Sequence, residues 1–200
     1  MNLIGQKAPN FTAAALLSDG TIDDNFDLHE RTAGKPAVLF FYPLDFTFVC
    51  PSELIAFNHR VSAFKERGVE VISVSIDSQF THLAWRNTPI DQGGIGPLGY
   101  PMVADTSHEI VTGYGVQAAG AAVALRATFL IDQEGVIRHQ SINDLPLGRN
   151  VDEYLRLVDA LQFHEKHGEV CPAGWQEGEA GMNASPEGVA SYLSKHSDSL

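Results

Sequence analysis

The stretch Pro36–Ile76, PAVLFFYPLDFTFVCPSELIAFNHRVSAFKERGVEVISVSI, decides the fold of this 200-residue chain. It begins with a continuous apolar and aromatic run, Pro36–Tyr42, which is typical of a strand buried on both faces. Apolar side chains then recur every three or four residues along Ser52–Arg67, and Gly68 stands where a helix would end, so this segment is predicted to be an amphipathic helix. The β-branched residues of Val69–Ile76 predict a second strand, parallel to the first. The stretch therefore reads as a β-α-β unit, and the core is expected to be of the α/β class.

The rest of the chain supplies further short helices and strands that should complete a mixed central sheet. In chain order they are an N-terminal hairpin over Phe11–Leu28, a helix over Ser78–Asn87, a strand over Pro101–Ala104, a helix from Asp105 to about Tyr114, a hairpin over Ala127–Gln140 and a helix from Val151 to about Gly168. Beyond Gly168 the composition shifts to Gly, Glu, Ser and Pro, and only Ala190–Leu193 indicates a helical turn or two. We therefore expect one domain over residues 1–168 and an extended C-terminal arm over residues 169–200 that needs a partner surface.

The charge of the chain argues against nucleic acid or an anionic membrane as a partner. Twenty-five acidic residues against 13 basic ones give a formal net charge of −12, which repels a phosphate backbone. The N-terminus lacks a basic segment followed by a long apolar one, and no apolar run reaches the length of a membrane span. We expect a soluble, cytoplasmic protein.

The two cysteines, Cys50 and Cys171, form neither a CxxC pair nor a zinc-ligand set. In a cytosolic protein they are either inert buried thiols or groups with redox chemistry, and the bare count favours the inert interpretation. The residues around Cys50 favour the redox interpretation instead. Cys50 lies where the buried strand passes into the predicted helix, and the unpaired N–H groups and positive dipole end of a helix start favour thiolate over thiol. Pro51 is tolerated in a first helical turn.

Two further residues suit an attack of that thiolate on an O–O bond. The hydroxyl of Thr47, three residues before Cys50, is a candidate acceptor for a peroxide proton or a candidate donor to the thiolate. Arg126, which precedes the Ala127 strand, is a candidate for a fixed cation that holds the thiolate and donates to the leaving oxygen. Its position alone favours the ordinary interpretation of Arg126, a solvated charge at a strand end.

The spacing Pro43-x-x-x-Thr47-x-x-Cys50 resembles the active-site signature of peroxiredoxins. The wider segment, FYPLDFTFVCP, is similar to that of the typical two-cysteine subgroup, which includes the bacterial alkyl hydroperoxide reductase C proteins. The resemblance extends from Ala8–Phe11 to Glu169–Trp175, nearly the whole chain. It implies a thioredoxin-like fold and a thiol peroxidase, in agreement with the β-α-β unit.

The resemblance also implies roles for single residues. Cys50 would be the peroxidatic cysteine, Thr47 and Arg126 would bind peroxide and stabilise the transition state, and Pro43 would shield the pocket from water. Two more charged residues would hold the arginine in place as a second layer, namely Glu53 and Arg149.

The second cysteine, Cys171, matches the family's resolving cysteine. The implied cycle oxidises Cys50 to a sulfenic acid, which condenses with Cys171 to a disulfide between two subunits. The implied partners are a hydroperoxide substrate, a second copy of the chain in a homodimer that commonly forms a ring of five dimers, and an electron donor, either thioredoxin or a flavoprotein disulfide reductase. No cofactor or metal is expected.

Two segments, Gly93–Gly96 and Tyr192–Leu193, resemble family motifs that pack over the Cys50 helix and slow its unfolding. They predict some sensitivity to inactivation through sulfinic acid formation, although the second motif usually has Phe where this chain has Leu193. The alternative is a flexible loop and an ordinary terminal helix.

Other patterns carry less weight. Gly94-x-Gly96-x-x-Gly99 matches the letters of a dinucleotide fingerprint, but Pro97 interrupts it and no strand leads directly into a helix there. His164 and His167 are interpreted as cations at a helix end rather than as metal ligands.

Two rival functions remain. A thioredoxin-type disulfide exchanger normally has its second cysteine where this chain has Glu53. A chaperone ring or a peroxide-sensing relay shares every residue named above, and only activity separates it from a peroxidase.

Overall fold

The structure, a computed structural model, describes residues 1–200 except for the side chain of Ser199. The contacts between residues divide the chain into two compact units, Met1–Val151 and Asp152–Leu200. The sequence composition predicts a boundary at residue 168 instead, and the assignment of residues 169–200 to a functional arm stays a prediction. Within the described residues, no helix is long and apolar enough to cross a membrane.

The first unit is built on a mixed sheet of seven strands, counted over the described residues, in the order β2-β1-β5-β4-β3-β6-β7. The strands are β1 Thr12–Leu16, β2 Ile22–Asp27, β3 Ala37–Phe41, β4 Glu70–Ser75, β5 Met102–Ala104, β6 Arg126–Ile131 and β7 Ile137–Asn143. The helices of this unit are α1 Leu28–Thr32, α2 Cys50–Glu66, α3 Gln79–Asn87 and α4 Glu109–Gly113, with a short 3-10 turn over Ile90–Gln92. This mixed α/β architecture confirms the predicted fold class.

Strand β3 lies inside the sheet, as its unbroken apolar sequence predicts. Its five side chains are fully buried, and the strand pairs in parallel with β4 and antiparallel with β6. The parallel pair β3–β4 with α2 between them is the predicted β-α-β unit. The two hairpins are also confirmed, because β1 pairs antiparallel with β2 and β6 pairs antiparallel with β7.

Helix α2 begins at Cys50, two residues before the predicted start. Its apolar side chains Leu54, Phe57 and Phe64 are fully buried, which is the face that the sequence spacing indicated. Gly68 ends the helix with φ of +71°, a left-handed conformation that suits a residue without a Cβ. The reacting sulfur therefore belongs to the first residue of a long, well-anchored helix.

The second unit contains two helices, α5 Val151–His167 and α6 Pro186–His196. The boundary between the units falls after the first residue of α5. Helix α6 is longer than the one or two turns expected around Ala190–Leu193. Its start is explained by Ser185, whose hydroxyl accepts a hydrogen bond from the N–H of Gly188, and by Pro186 at the first helical position. None of its described residues is buried within the structure.

Candidate active site

Cys50 opens helix α2 and is fully buried, with its sulfur facing a guanidinium group. Nη1 of Arg126 lies 3.5 Å from the Cys50 sulfur and donates to it. Arg126 is the first residue of β6 and is only 4% exposed, so it is not a solvated charge at a strand end. A fixed positive charge and the positive end of the α2 dipole therefore both act on the same sulfur.

The Arg126 side chain is held in place at two of its nitrogens. Nε donates to the carbonyl of Leu145 at 2.6 Å, and Nη1 donates to Oε2 of Glu53 at 2.6 Å. Glu53 is one turn into α2 from Cys50 and is 3% exposed. The guanidinium therefore cannot turn away from the cysteine without breaking buried hydrogen bonds.

Glu53 is shared by two arginines. Its Oε1 accepts from the backbone N–H of Arg149 at 3.0 Å and from Nε at 2.9 Å, and its Oε2 accepts from Nη2 of Arg149 at 3.0 Å. Burial alone would raise the pKa of Glu53, but the charge and hydrogen bonds of Arg149 and the charge of Arg126 outweigh it and lower the pKa below the ordinary value. The carboxylate therefore remains ionised between two cations.

Arg149 also joins the sheet to the helix. Its Nη1 donates to the carbonyls of Phe41 in β3 at 2.9 Å and of Ala127 in β6 at 2.8 Å. Its guanidinium carbon lies 5.0 Å from the centre of the Phe40 ring, within the range of a cation–π contact. The side chain is fully buried. The structure thus brings Cys50, Arg126, Glu53 and Arg149 together.

The loop between β3 and α2 carries the other two expected residues. Pro43 is buried and Thr47 is half-buried. The Thr47 hydroxyl donates to the carbonyl of Leu44 at 2.8 Å. Its proton is therefore already used, and its oxygen retains lone pairs that are able to accept a proton from a ligand. Of the two roles considered for Thr47, this geometry fits the acceptor.

A buried polar network that the sequence reasoning missed fixes the same loop. Oδ1 of Asp45 accepts from the hydroxyl of Tyr42 at 2.7 Å, and Oδ2 lies 2.7 Å from Nδ1 of His82 in α3. The backbone N–H of Asp45 donates to Asp77 at 2.9 Å. Burial raises the pKa of Asp45 even though His82 opposes this shift. The sequence offers one indication of this network, an acidic residue inside an otherwise apolar loop. The histidine that pairs with it is 37 positions away and has no local pattern that links the two.

One loop residue has an unusual backbone conformation. Phe46 has φ of +53°, in the left-handed region that non-glycine residues seldom adopt. Its ring lies 5.7 Å from that of Trp85 in α3. Such a conformation persists only when its surroundings enforce it, and here the Asp45 network precedes it directly.

Cys171 lies in the second unit and is half-buried. Its S–H donates to the carbonyl of Ala160 in α5 at 3.4 Å, and the neighbouring Val170 exchanges two backbone hydrogen bonds of 2.9 Å with Met182. Burial raises the pKa of the Cys171 thiol, while the positive charge of Arg156 acts against that rise. Both cysteines are free thiols in this structure.

The loop over Gly93–Gly96 is ordered by specific contacts. The Trp85 indole N–H donates to the carbonyl of Gly93 at 2.8 Å. A Cβ on Gly94 would stand 1.8 Å from the carbonyl oxygen of Thr88, so no larger residue fits there. The loop does not connect a strand to a helix, as a dinucleotide-binding fingerprint would.

Among the described residues there is no cluster of three or more His, Cys, Asp or Glu that could hold a metal ion.

Comparisons with protein families match almost the whole chain. The model of the AhpC/TSA family matches residues 4–140, and the model described as the C-terminal domain of 1-Cys peroxiredoxin matches residues 160–195.

Individual proteins agree with the family matches. The chain is 55% identical over 196 residues to an alkyl hydroperoxide reductase C of Buchnera aphidicola, with 98% of this chain and 99% of that protein covered. It is 50% identical over 193 residues to peroxiredoxin-2 of Cricetulus griseus, covering 96% of each. The reduced 2-Cys peroxiredoxin of Plasmodium vivax has a similar crystal structure, with a TM-score of 0.93 and 47% identity, over 97% of this chain and 100% of that one.

Proposed function

Because this chain belongs to the AhpC/TSA family and is a thiol-dependent peroxidase of the peroxiredoxin type, we propose that Cys50 is the residue that attacks the hydroperoxide. This assignment rests on the 3.5 Å contact between Nη1 of Arg126 and the Cys50 sulfur. The buried carboxylate of Glu53 forms an ion pair with the same Nη1 and holds it in place. A charged donor in a water-poor site stabilises a thiolate far more than it would in water.

In the proposed oxidation step, the Cys50 thiolate attacks one oxygen of the peroxide and the O–O bond breaks. The sulfur keeps the attacked oxygen as a sulfenic acid, and the other oxygen leaves as an alkoxide or hydroxide that takes up a proton. Arg126 donates to the oxygen on which negative charge develops. The Thr47 oxygen accepts the peroxide O–H, because its own proton is engaged with Leu44. The buried Pro43 limits access of water to the sulfur.

We assign the resolving step to Cys171. Its sulfur would attack the sulfenic sulfur of Cys50 on another subunit, form an intersubunit disulfide and release water. Electrons for reopening the disulfide would come from thioredoxin or a flavoprotein disulfide reductase. The match to a 2-Cys peroxiredoxin over 97% of this chain supports this assignment.

We further propose that the chain works as a homodimer in the cytoplasm and that five dimers form a ring. Three aromatic side chains near the Cys50 loop support a contact with further copies, since Phe48 is 97%, Phe80 66% and Phe46 51% exposed. The Phe46 ring contacts α3 through Trp85, and Phe80 is at the start of that helix, so the loop and α3 are neighbours. Sedimentation analysis of the reduced protein measures the number of copies.

The test of this function combines peroxide consumption with non-reducing electrophoresis of wild type, Cys50→Ser and Cys171→Ser. Wild type should consume peroxide in many turnovers when a reductant is supplied and should give a disulfide-linked dimer. Cys171→Ser should consume about one equivalent of peroxide per chain and then stop, because its sulfenic acid has no resolving thiol. The dimer band should be missing from both variants.

Two outcomes would contradict the proposal. Continued peroxide consumption by Cys50→Ser would remove that residue from the reaction. Stoichiometric oxidation of wild type without turnover, even with thioredoxin and a flavoprotein reductase present, would favour a peroxide-sensing relay over a peroxidase.

A further inference from the structure

Arg156 is a charged residue of α5 to which the function proposed above gives no role. All three nitrogens of its guanidinium are engaged. Nε and Nη2 donate to the two carboxylate oxygens of Glu153 at 2.7 Å each, and Nη1 donates to the carbonyl of Trp175 at 3.0 Å. A planar fork bound at three points has one orientation. The side chain is therefore fixed although it is 27% exposed.

The Trp175 carbonyl ends the turn that directly follows Cys171. The N–H of Trp175 donates to the carbonyl of Pro172 at 3.2 Å, and its buried ring lies 4.8 Å from that of Phe163 in α5. On the other side of Cys171, Val170 is paired with Met182. Arg156 thus joins α5 to the turn on the C-terminal side of the cysteine.

The Cys171 sulfur itself rests on the same helix. It donates to the carbonyl of Ala160, which lies one helical turn beyond Arg156. Burial raises the pKa of this thiol, and the charge of Arg156 counteracts the rise. The same interaction raises the pKa of Arg156, where the hydrogen bonds to Glu153 are the larger cause.

We propose that Arg156 is a positioning residue for disulfide formation, because it holds the turn after Cys171 and favours the thiolate form of its sulfur. This inference rests on the resolving role proposed for Cys171. In the step concerned, the Cys171 thiol first loses its proton to water. The thiolate then forms the S–S bond to the sulfenic sulfur of Cys50 while the S–O bond breaks, and the departing hydroxide takes up a proton to give water.

The first test follows Cys171 alone, in full-length Cys50→Ser protein, by alkylation with iodoacetamide over a range of pH. Replacing Arg156 with Gln should raise the pKa of Cys171. At neutral pH the alkylation rate should fall about two- to fivefold, since the loss of thiolate is partly offset by the greater nucleophilicity of a more basic sulfur. At alkaline pH, where the thiol is fully ionised, the same variant should react faster than its parent.

This reversal separates an electrostatic effect from a structural one, because a disordered turn would change the rate by a similar factor at every pH. Arg156→Lys keeps the charge and should keep most of the rate at neutral pH. Glu153→Gln is the matched control: it leaves the charge of Arg156 in place and should leave the pKa of Cys171 unchanged or lower. An unchanged pKa in Arg156→Gln overturns the electrostatic part of the inference.

The second test measures a single turnover in the protein with both cysteines. Arg156→Gln should slow disulfide formation about two- to fivefold at neutral pH and leave the oxidation of Cys50 at the wild-type rate. Disulfide formation at the wild-type rate would overturn the inference while the peroxidase function stands. Absence of any disulfide in wild type would instead overturn the proposed role of Cys171.

Discussion

Cys50 and Cys171 are the two cysteines of the chain, and they stand in contrasting surroundings. Cys50 is fully buried at the first residue of a 17-residue helix, beside an arginine that is itself fixed by a buried carboxylate. Cys171 is half-buried in an irregular segment, where one short backbone bridge and a solvent-accessible ion pair are its neighbours. The Cys50 thiol is thus held in a fixed position for reaction. The segment around Cys171, by contrast, should unfold locally at a low cost in free energy. This contrast fits a cycle in which Cys50 reacts first with peroxide and Cys171 then forms a disulfide with the oxidised product.

The largest expected difference between the two regions concerns stability. Glu53→Gln removes the charge that separates two buried guanidinium groups, and should lower the free energy of unfolding by about 3–5 kcal/mol at neutral pH. Glu153→Gln breaks a solvent-accessible ion pair with an arginine and should change the free energy of unfolding by less than about 1 kcal/mol. Urea unfolding at equal protein concentration measures both. Similar losses in the two variants would contradict the contrast in burial.

The stability of the Cys50 region should also depend on acid. The folded-state pKa of Glu53 lies below its ordinary value of 4.5, so the native state binds this proton less tightly than the unfolded state does. The stabilisation from Glu53 is then complete above that value and is lost as pH falls through the folded pKa.

The measurement is the free energy of unfolding of wild type minus that of Glu53→Gln, which should shrink from about pH 5 to about pH 3. Asp45, whose pKa is raised, acts in the opposite direction, since its contribution declines as pH rises through its folded pKa. That contribution is common to both proteins and cancels in the difference. A difference that stays constant over this range would mean that folding does not lower the pKa of Glu53.

The next expected effect is on rate. Arg126→Met removes the charged donor beside the Cys50 sulfur and should lower the rate constant of the reaction with peroxide about 10²- to 10³-fold. Arg156→Met changes a comparable arginine near the other thiol and should leave that rate constant unchanged. Rapid mixing with hydrogen peroxide, followed by tryptophan fluorescence, reports the first step in each variant. A small effect of Arg126→Met would mean that the α2 helix start alone activates the thiolate.

A smaller effect is expected at Thr47. Thr47→Val keeps the shape of the side chain but removes the acceptor, which should slow the peroxide reaction up to about tenfold, the value of one hydrogen bond. Thr47→Ser retains the hydroxyl and should react at close to the wild-type rate. If the two variants were slowed equally, packing of the loop rather than hydrogen bonding would be responsible.

The smallest expected effect is on tolerance to excess peroxide. The resemblance of Tyr192–Leu193 to a family motif that slows the unfolding of the Cys50 helix predicts that deletion of residues 190–200 should raise the peroxide concentration that inactivates the enzyme about two- to fivefold. Leu193→Phe restores the residue more usual in this motif and should lower that concentration. Mass spectrometry of the Cys50 sulfinic acid measures both changes. Equal tolerance before and after the deletion would contradict the prediction.

The sequence anticipated the local part of the Cys50 site better than its distant part. A buried strand that passes into a periodic helix placed Cys50 at a helix start, because both patterns are local. The role of Arg126, by contrast, follows from the resemblance to peroxiredoxins and not from its sequence neighbours, because nothing in them shows that it is buried. The Asp45–His82 pair was missed because it joins two elements whose distance depends on the packing of the whole sheet.

The second unit shows the limits of composition. Ser185, Pro186 and Gly188 made the segment look irregular, yet Ser and Pro are also the residues that start helices, and here they do. The direction of the Arg156 side chain could not be predicted either. Several acidic residues lie within reach of Arg156 on the surface of its helix. The sequence of the turn after Cys171 does not indicate the direction of its carbonyl groups.

Arg149 has a consequence for the order in which the protein becomes active. Its partner Glu53 lies 96 positions earlier, and its other contacts are to the carbonyls of β3 and β6. Contacts between residues so far apart in sequence form late, since a long loop must close first. A chain still being synthesised thus carries Cys50 well before it has the arginine that completes the support of its site. During synthesis, the full peroxide reactivity of Cys50 is therefore expected only after Arg149 has docked.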